Sequence, residues 1–300
     1  MVRLLLELAP CLLAGFWLGR RFPALPGELA PALLRWGMPL SLTGLLLKSG
    51  LPLSSIPMAG LIAAITSGGL LLCRQFPSLL PSRSLQLGAI VGNTGYFGLP
   101  VAIALLPSEA LSFSVIYDLI GTLITWSAGP LLLSPDQSRP SALSLLKTPV
   151  VQALLLALPL GLTPWGSVLG QWLWLPARLV LWLLLLLVGM RLGLVLQRIH
   201  PEGESPRPSL HAALAIKLLA LPAVMALATS LLQLPELLRQ ALVLQAAAAP
   251  TAMSVLLLAE AADAQNDSDQ ETLPAARLVL WSSGLALISL PLWFQLTAAM

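Results

Sequence analysis

Residues 181–188 read Leu-Trp-Leu-Leu-Leu-Leu-Leu-Val, an unbroken apolar run inside a longer apolar stretch from 172 to 196. A strand of a membrane barrel alternates polar and apolar residues over roughly ten positions, and this run does not alternate. A helix in hydrocarbon satisfies its own backbone and needs no alternation, so the run selects helix. Its setting selects the membrane. The 300-residue chain is 57% hydrophobic and 10% charged, with mean hydropathy +0.87, whereas a soluble domain carries about 25% charged residues.

Crossing a bilayer takes roughly 17 to 25 apolar residues, and the sequence offers ten candidate spans: 4–19, 30–47, 55–73, 86–106, 110–133, 147–163, 172–196, 210–232, 237–261 and 276–298. Nine is the alternative count. Arg3 ahead of an apolar run resembles a signal peptide. Glu7 interrupts that run, and no cleavage pattern follows before Arg20 and Arg21, so a retained first helix is expected. Cys11 and Cys73 lie in apolar stretches, without metal-ligand spacing, and read as packing residues. No metal or cofactor is expected.

The net charge of +3 comes from single Lys and Arg residues between apolar runs, which mark topology rather than nucleic-acid binding. Alternate joints differ. One side carries ten, namely Arg20, Arg21, Arg74, Arg83, Arg139, Lys147, Arg191, Arg198, Arg207 and Arg277; the other carries four, Arg3, Lys48, Arg178 and Arg239. The richer side is cytoplasmic by the positive-inside rule, so both termini of a ten-span chain face outward. The acidic segment with Asp263, Asp267, Asp269 and Glu271 reads as a solvated connecting loop.

The fourth span contains Gly92-Asn93-Thr94-Gly95-Tyr96-Phe97-Gly98-Leu99-Pro100. Proline removes a donor and crowds the preceding turn, glycine permits irregular dihedrals, and the spanning helix is expected to break. Unpaired backbone at membrane depth is tolerated only where protein buries it or a watery cavity meets it. The ninth span repeats the theme in Gln245-Ala246-Ala247-Ala248-Ala249-Pro250-Thr251. Pro100 and Pro250 lie 150 positions apart, half the chain and five spans. Five is odd, so the two interrupted helices run in opposite directions. The expected fold is an all-α membrane protein of ten transmembrane helices. It forms two inverted five-helix repeats, 1–133 and 147–300, joined by a cytoplasmic linker at 134–146, with the two proline-broken helices crossing. Paired broken segments in corresponding halves point to a transporter's substrate site.

The segment from Asn93 to Pro100, with APTAMSVLLLAEA at 249–261, resembles the auxin efflux carrier family of permeases, which includes bacterial malonate- and malate-type carriers. The resemblance extends over essentially the whole chain. It implies a ten-helix inverted repeat with an X-shaped crossing and a small organic anion as substrate. It assigns Asn93, Gly95, Gly98 and Pro100, with Thr94 beside them, to the first crossing, and Pro250 with Thr251 to the second. Half-helix N-termini there would offer amides to a carboxylate. Ala261, Ala262 and Asp263 stand where relatives often carry an aromatic and a glycine, a departure that bears on substrate rather than fold. The short 134–146 joint lacks the large polar loop of plant carriers, so neither auxin itself nor phosphorylation of such a loop is implied.

Charges at membrane depth mark function or a partner. Asp118, about 12 Å from the outer end of its span, reads as a proton or cation coupling group or as a hydrogen-bonded structural carboxylate. Lys217 reads as a charge balancing the anion or as a side chain snorkelling to the interface. Arg35 reads as interfacial, and His200 and His211 as solvated. The first functional reading is a secondary transporter (permease) in the cytoplasmic (plasma) membrane, working by alternating access around helices four and nine. Its partners are a small organic anion and membrane lipid, with a homodimer and proton or sodium coupling left open. A channel or membrane-embedded sensor is the second reading. An enzyme is the third, and the spans offer none of the motifs for a nucleophile or a zinc site. No Walker A motif supports ATP-driven pumping.

Overall fold

The computed structural model describes residues 2–50, 55–133, 145–198, 208–248, 253–266 and 270–299, and among these residues there is no β-strand. The helices are α1 (Val2–Arg21), α2 (25–49), α3 (Ser55–Gln75), α4 (Arg83–Gly88), α5 (Thr94–Leu105), α6 (Ser108–Leu133), α7 (Pro149–Gly161), α8 (Gly166–Arg198), α9 (Pro208–Leu231), α10 (Glu236–Ala248), α11 (Met253–Asn266) and α12 (Thr272–Ala299). Five of them, α3, α6, α8, α9 and α12, are long and apolar enough to cross a membrane. The largest departures from the expected span limits are at α8, which begins six residues early, and at α2 and α11, each extended by five. Pro26 in the first turn of α2 costs no helical hydrogen bond.

Three of the prolines inside continuous helices follow a widened turn. Leu33–Gly37, Thr94–Gly98 and Ile216–Ala220 are π-helical, and Pro39, Pro100 and Pro222 come two residues after them. The wide turns close with Met38 N–H donating to Leu33 O, Leu99 N–H to Thr94 O and Leu221 N–H to Ile216 O. A proline ring collides with the carbonyl four residues back and offers that carbonyl no donor; an extra residue in the preceding turn relieves the crowding. At Pro222 the freed carbonyl of Leu218 accepts the Trp293 Nε1–H of α12 at 2.9 Å. The break in the fourth span therefore falls at residues 89–93, at the front of the quoted stretch and not at its proline: Asn93 has φ −85° and ψ 61°, outside the helical region.

Packing sorts the helices into two groups. In the first, α1, α2 and α7 pack on or around α8. Gly15 and Gly19 on α1 face Gly189 and Gly193 on α8, two small-xxx-small patterns in register. A methyl group built on Gly15 would lie 3.1 Å from Gly189 Cα, and one on Gly189 would lie 3.1 Å from Gly15 Cα. Any side chain at either position separates the helices. Cys11 adds a thiol hydrogen bond to Trp182 O, 3.3 Å, across the same pair. In the second group α3, α6, α9, α10, α11 and α12 pack with the broken α4–α5 segment.

The acidic segment is not the solvated loop its composition suggests. Asp263 is 4% exposed, and its carboxylate accepts the N–H groups of Glu271 and Thr272, capping α12. Glu271 in turn accepts from Ser82 Oγ (2.8 Å), Arg83 N–H (3.1 Å) and Ser84 N–H (2.7 Å), capping α4. Helix N-termini leave amides unpaired and favour negative charge, so two carboxylates pin α4, α11 and α12 together. Asp267 and Asp269 lie outside the described residues.

Candidate functional site

After the break at 89–93 the chain restarts as α5, where Phe97 and Gly98 N–H groups both donate to Asn93 O at 3.1 and 3.0 Å. That leaves the amides of Thr94, Gly95 and Tyr96 without an acceptor inside the helix. These residues line a cavity of about 300 Å³ together with Asp118, Thr122, Thr125 and Trp126 of α6, Leu187, Val188 and Arg191 of α8, and Ser254 and Leu257 of α11. The first turns of α5 and α11, one from each half of the sequence, thus meet the same space. Small-molecule sites commonly occupy about 300 to 1,000 Å³. From the break the cavity runs toward the end of the molecule where α7 begins, since Pro149 and Val150 also line it.

Asp118 is 3% exposed. Its Oδ1 accepts the Thr94 hydroxyl at 2.5 Å, and its Oδ2 has no hydrogen-bond partner among the described residues. The carboxylate sits at the N-terminal end of α5, where the helix dipole favours negative charge. Gly95 makes this approach feasible. A Cβ there would lie 3.1 Å from both carboxylate oxygens and 2.6 Å from Met38 Cε. Gly98, one turn on, is pressed against Gln245 of α10: a Cβ at Gly98 would clash with Gln245 Oε1.

The structure thus gathers Asn93, Thr94, Gly95 and Asp118 on one cavity and sets Gly98 beyond it. Pro100 is buried further along α5. Lys217 does not line this cavity and does not snorkel. It is 1% exposed, and its Nζ donates to Ile90 O in the break at 3.2 Å. Pro250, Thr251 and His200 lie outside the described residues, so the second crossing has no geometry here. Arg35 is exposed, with its guanidinium 5.3 Å from the Trp36 ring centre, and His211 is exposed. Arg191 is the residue sequence reasoning missed. Counted among joint charges, it lies inside α8 and is the cation among the cavity's lining residues. Nothing in the apolar run around it marks the side on which the cavity lies.

A helical chain with five membrane-length apolar helices, and with one helix broken beside an internal cavity that carries a few polar and charged groups, is an integral membrane protein. A family model described as membrane transport protein matches residues 138–294, and the chain belongs to that family, the auxin efflux carriers. It is a membrane transporter of a transporter family and not of an enzyme family. Comparison with curated proteins gives no match.

Proposed function

We propose that the chain is a secondary transporter of a small organic anion, a mono- or dicarboxylate, working by alternating access around the crossing of the interrupted helices α4–α5 and α10–α11. The observation that carries the reading is the shared cavity, which receives the first turns of α5 and α11 and holds Arg191 and Asp118. The amides of Thr94, Gly95 and Tyr96, which have no acceptor inside their own helix, and the guanidinium of Arg191 supply what a carboxylate needs. Asp118 supplies the coupling. Two negative charges do not share the N-terminus of α5 without a proton or cation between them, so anion and proton or sodium bind together.

In this reading the ten spans form two inverted repeats, 1–133 and 147–300, joined by the 134–146 linker, in the cytoplasmic (plasma) membrane. The helix group α1, α2, α7 and α8 is the body against which the other group moves, a division supported by the packing. Pro250 and Thr251 complete the second crossing, and Lys217 holds the broken backbone at Ile90 in place while balancing charge near it. The test is uptake and counterflow of labelled mono- and dicarboxylates in proteoliposomes. Saturable counterflow is expected, with its loss in Asn93→Ala and Pro100→Ala proteins that still insert and fold. Normal flux in both variants would remove the crossing as the site.

A further inference from the structure

Gln245, on α10, is 0% exposed, and neither its Oε1 nor its Nε2 has a hydrogen-bond partner among the described residues. A buried primary amide left unpaired is costly, more so than an apolar side chain of the same size. It interrupts an otherwise apolar run from Ala241 through Ala248 and is held where Gly98 leaves it room. Two more unpaired polar groups belong to the adjacent α6, against which α10 packs. Ser112 and Ser114 are both 0% exposed, with Oγ atoms that find no partner among the described residues. Several other helical hydroxyls return to a carbonyl one turn back, as Thr125 does to Gly121 O, Ser127 to Leu123 O and Thr229 to Met225 O, while Thr66, Ser230 and Ser289, elsewhere in the helices, are also without a partner among the described residues.

Gln245 and Ser114 share a position relative to the cavity. Ser114, Asp118, Thr122 and Thr125 recur at helical spacing and form one stripe along α6. The cavity occupies the part from Asp118 to Thr125, and Ser114 continues the line past its inner end, while Ser112, two residues away, is on another face of α6. Gly98 stands in the same relation to Thr94 on α5. Gln245, held against Gly98, and Ser114 therefore lie beyond the closed end of the cavity, opposite the end where α7 begins.

We infer that Gln245, with Ser114, lines the second half of the permeation path, closed in this conformation, and that the Gln245 amide hydrogen-bonds the carboxylate of the passing anion when that half opens. The carboxylate contact rests on the transporter reading above; the path itself does not. As the two helix groups shift, water enters beside α6 and α10, Gln245 and Ser114 gain partners, and the amide N–H groups donate to the anion leaving the first turn of α5. The burial cost in the closed state is then what favours opening.

The test uses the full chain in sealed membrane vesicles, in a Cys11→Ser, Cys73→Ser background. Gln245→Cys and Ser114→Cys are exposed to a small membrane-impermeant methanethiosulfonate from each face in turn, with Ile62→Cys, fully buried in α3, as the control. Labelling of 245 and 114 from the face that carries residues 106–107 and 232–235, well above the control's rate, is expected. Labelling no faster than the control, or only from the cavity's face, overturns the path. Gln245→Met is the second variant. Its thermal midpoint is expected at or above the parent's, with carboxylate counterflow reduced about tenfold or more, as the loss of a hydrogen bond to a charged group implies. Unchanged counterflow overturns the carboxylate contact. If the parent carries no carboxylate, the substrate class of the transporter reading falls and the carboxylate contact falls with it, while the labelling result still decides the path.

Discussion

Asp118 and Thr94 make the closest polar pair of the cavity, and the roles of charge and shape there separate cleanly. Asp118→Asn keeps the volume and a hydrogen-bond partner for Thr94 while removing the charge. On the proposed coupling, the variant retains carboxylate exchange but loses accumulation driven by a proton or sodium gradient, and the pH or sodium dependence of uptake flattens. Uptake and counterflow measured side by side, across pH and with sodium replaced, check this; accumulation that persists with its original ion dependence would sink the role given to Asp118. Asn93, Thr94 and Gly95 were legible in the sequence because polar and flexible residues stand out against leucine. Arg191 and Gln245 were not. A lone arginine near the end of a span looks like an interfacial anchor, and a lone glutamine beside alanines looks like packing. Only the tertiary arrangement shows that the first faces a cavity and the second faces Gly98.

At the level of elements, the broken fourth helix was legible and its point of rupture was not. Proline and glycine announce an interruption, but a π-turn ahead of Pro100 absorbs the ring and the break moves back to residues 89–93. The same device at Pro39 and Pro222 keeps α2 and α9 continuous. Capping was illegible for a different reason. Glu271 caps α4 from 187 or more positions away, and no local pattern encodes such a partner. It carries a prediction of its own. Glu271→Ala removes three accepted hydrogen bonds at a helix N-terminus and is expected to destabilise the protein by about 2 kcal/mol, with Glu271→Gln recovering part of the loss. Thermal unfolding in detergent measures it. A midpoint equal to the parent's would mean that water caps α4 as well as Glu271 does.

For the whole molecule, the close glycine-lined contact between α1 and α8 ties the first part of the chain to the second, and the cavity lies where that rigid pair meets the broken helices. This arrangement depends on how many times the chain crosses the bilayer. The weakest crossing is α7, whose 13 residues extend only about 20 Å, against a hydrocarbon core of about 30 Å. If α7 crosses, by drawing in residues on either side, the total is ten and the termini share a face; if it does not, the total is nine and they lie on opposite faces. Charge favours ten. Moving Arg191 from the joints to the cavity lowers the cytoplasmic count from ten to nine, still against four on the other side. Reporter tags at each terminus, probed by an impermeant protease on intact cells, are therefore expected to be cut together from outside. Cleavage of one tag alone would leave nine crossings. The 147–300 half would then run in the same sense as the first and the two interrupted helices would be parallel, contrary to the shared face of residues 106–107 and 232–235, so the inverted-repeat account of the crossing would have to be abandoned together with the arrangement built on it.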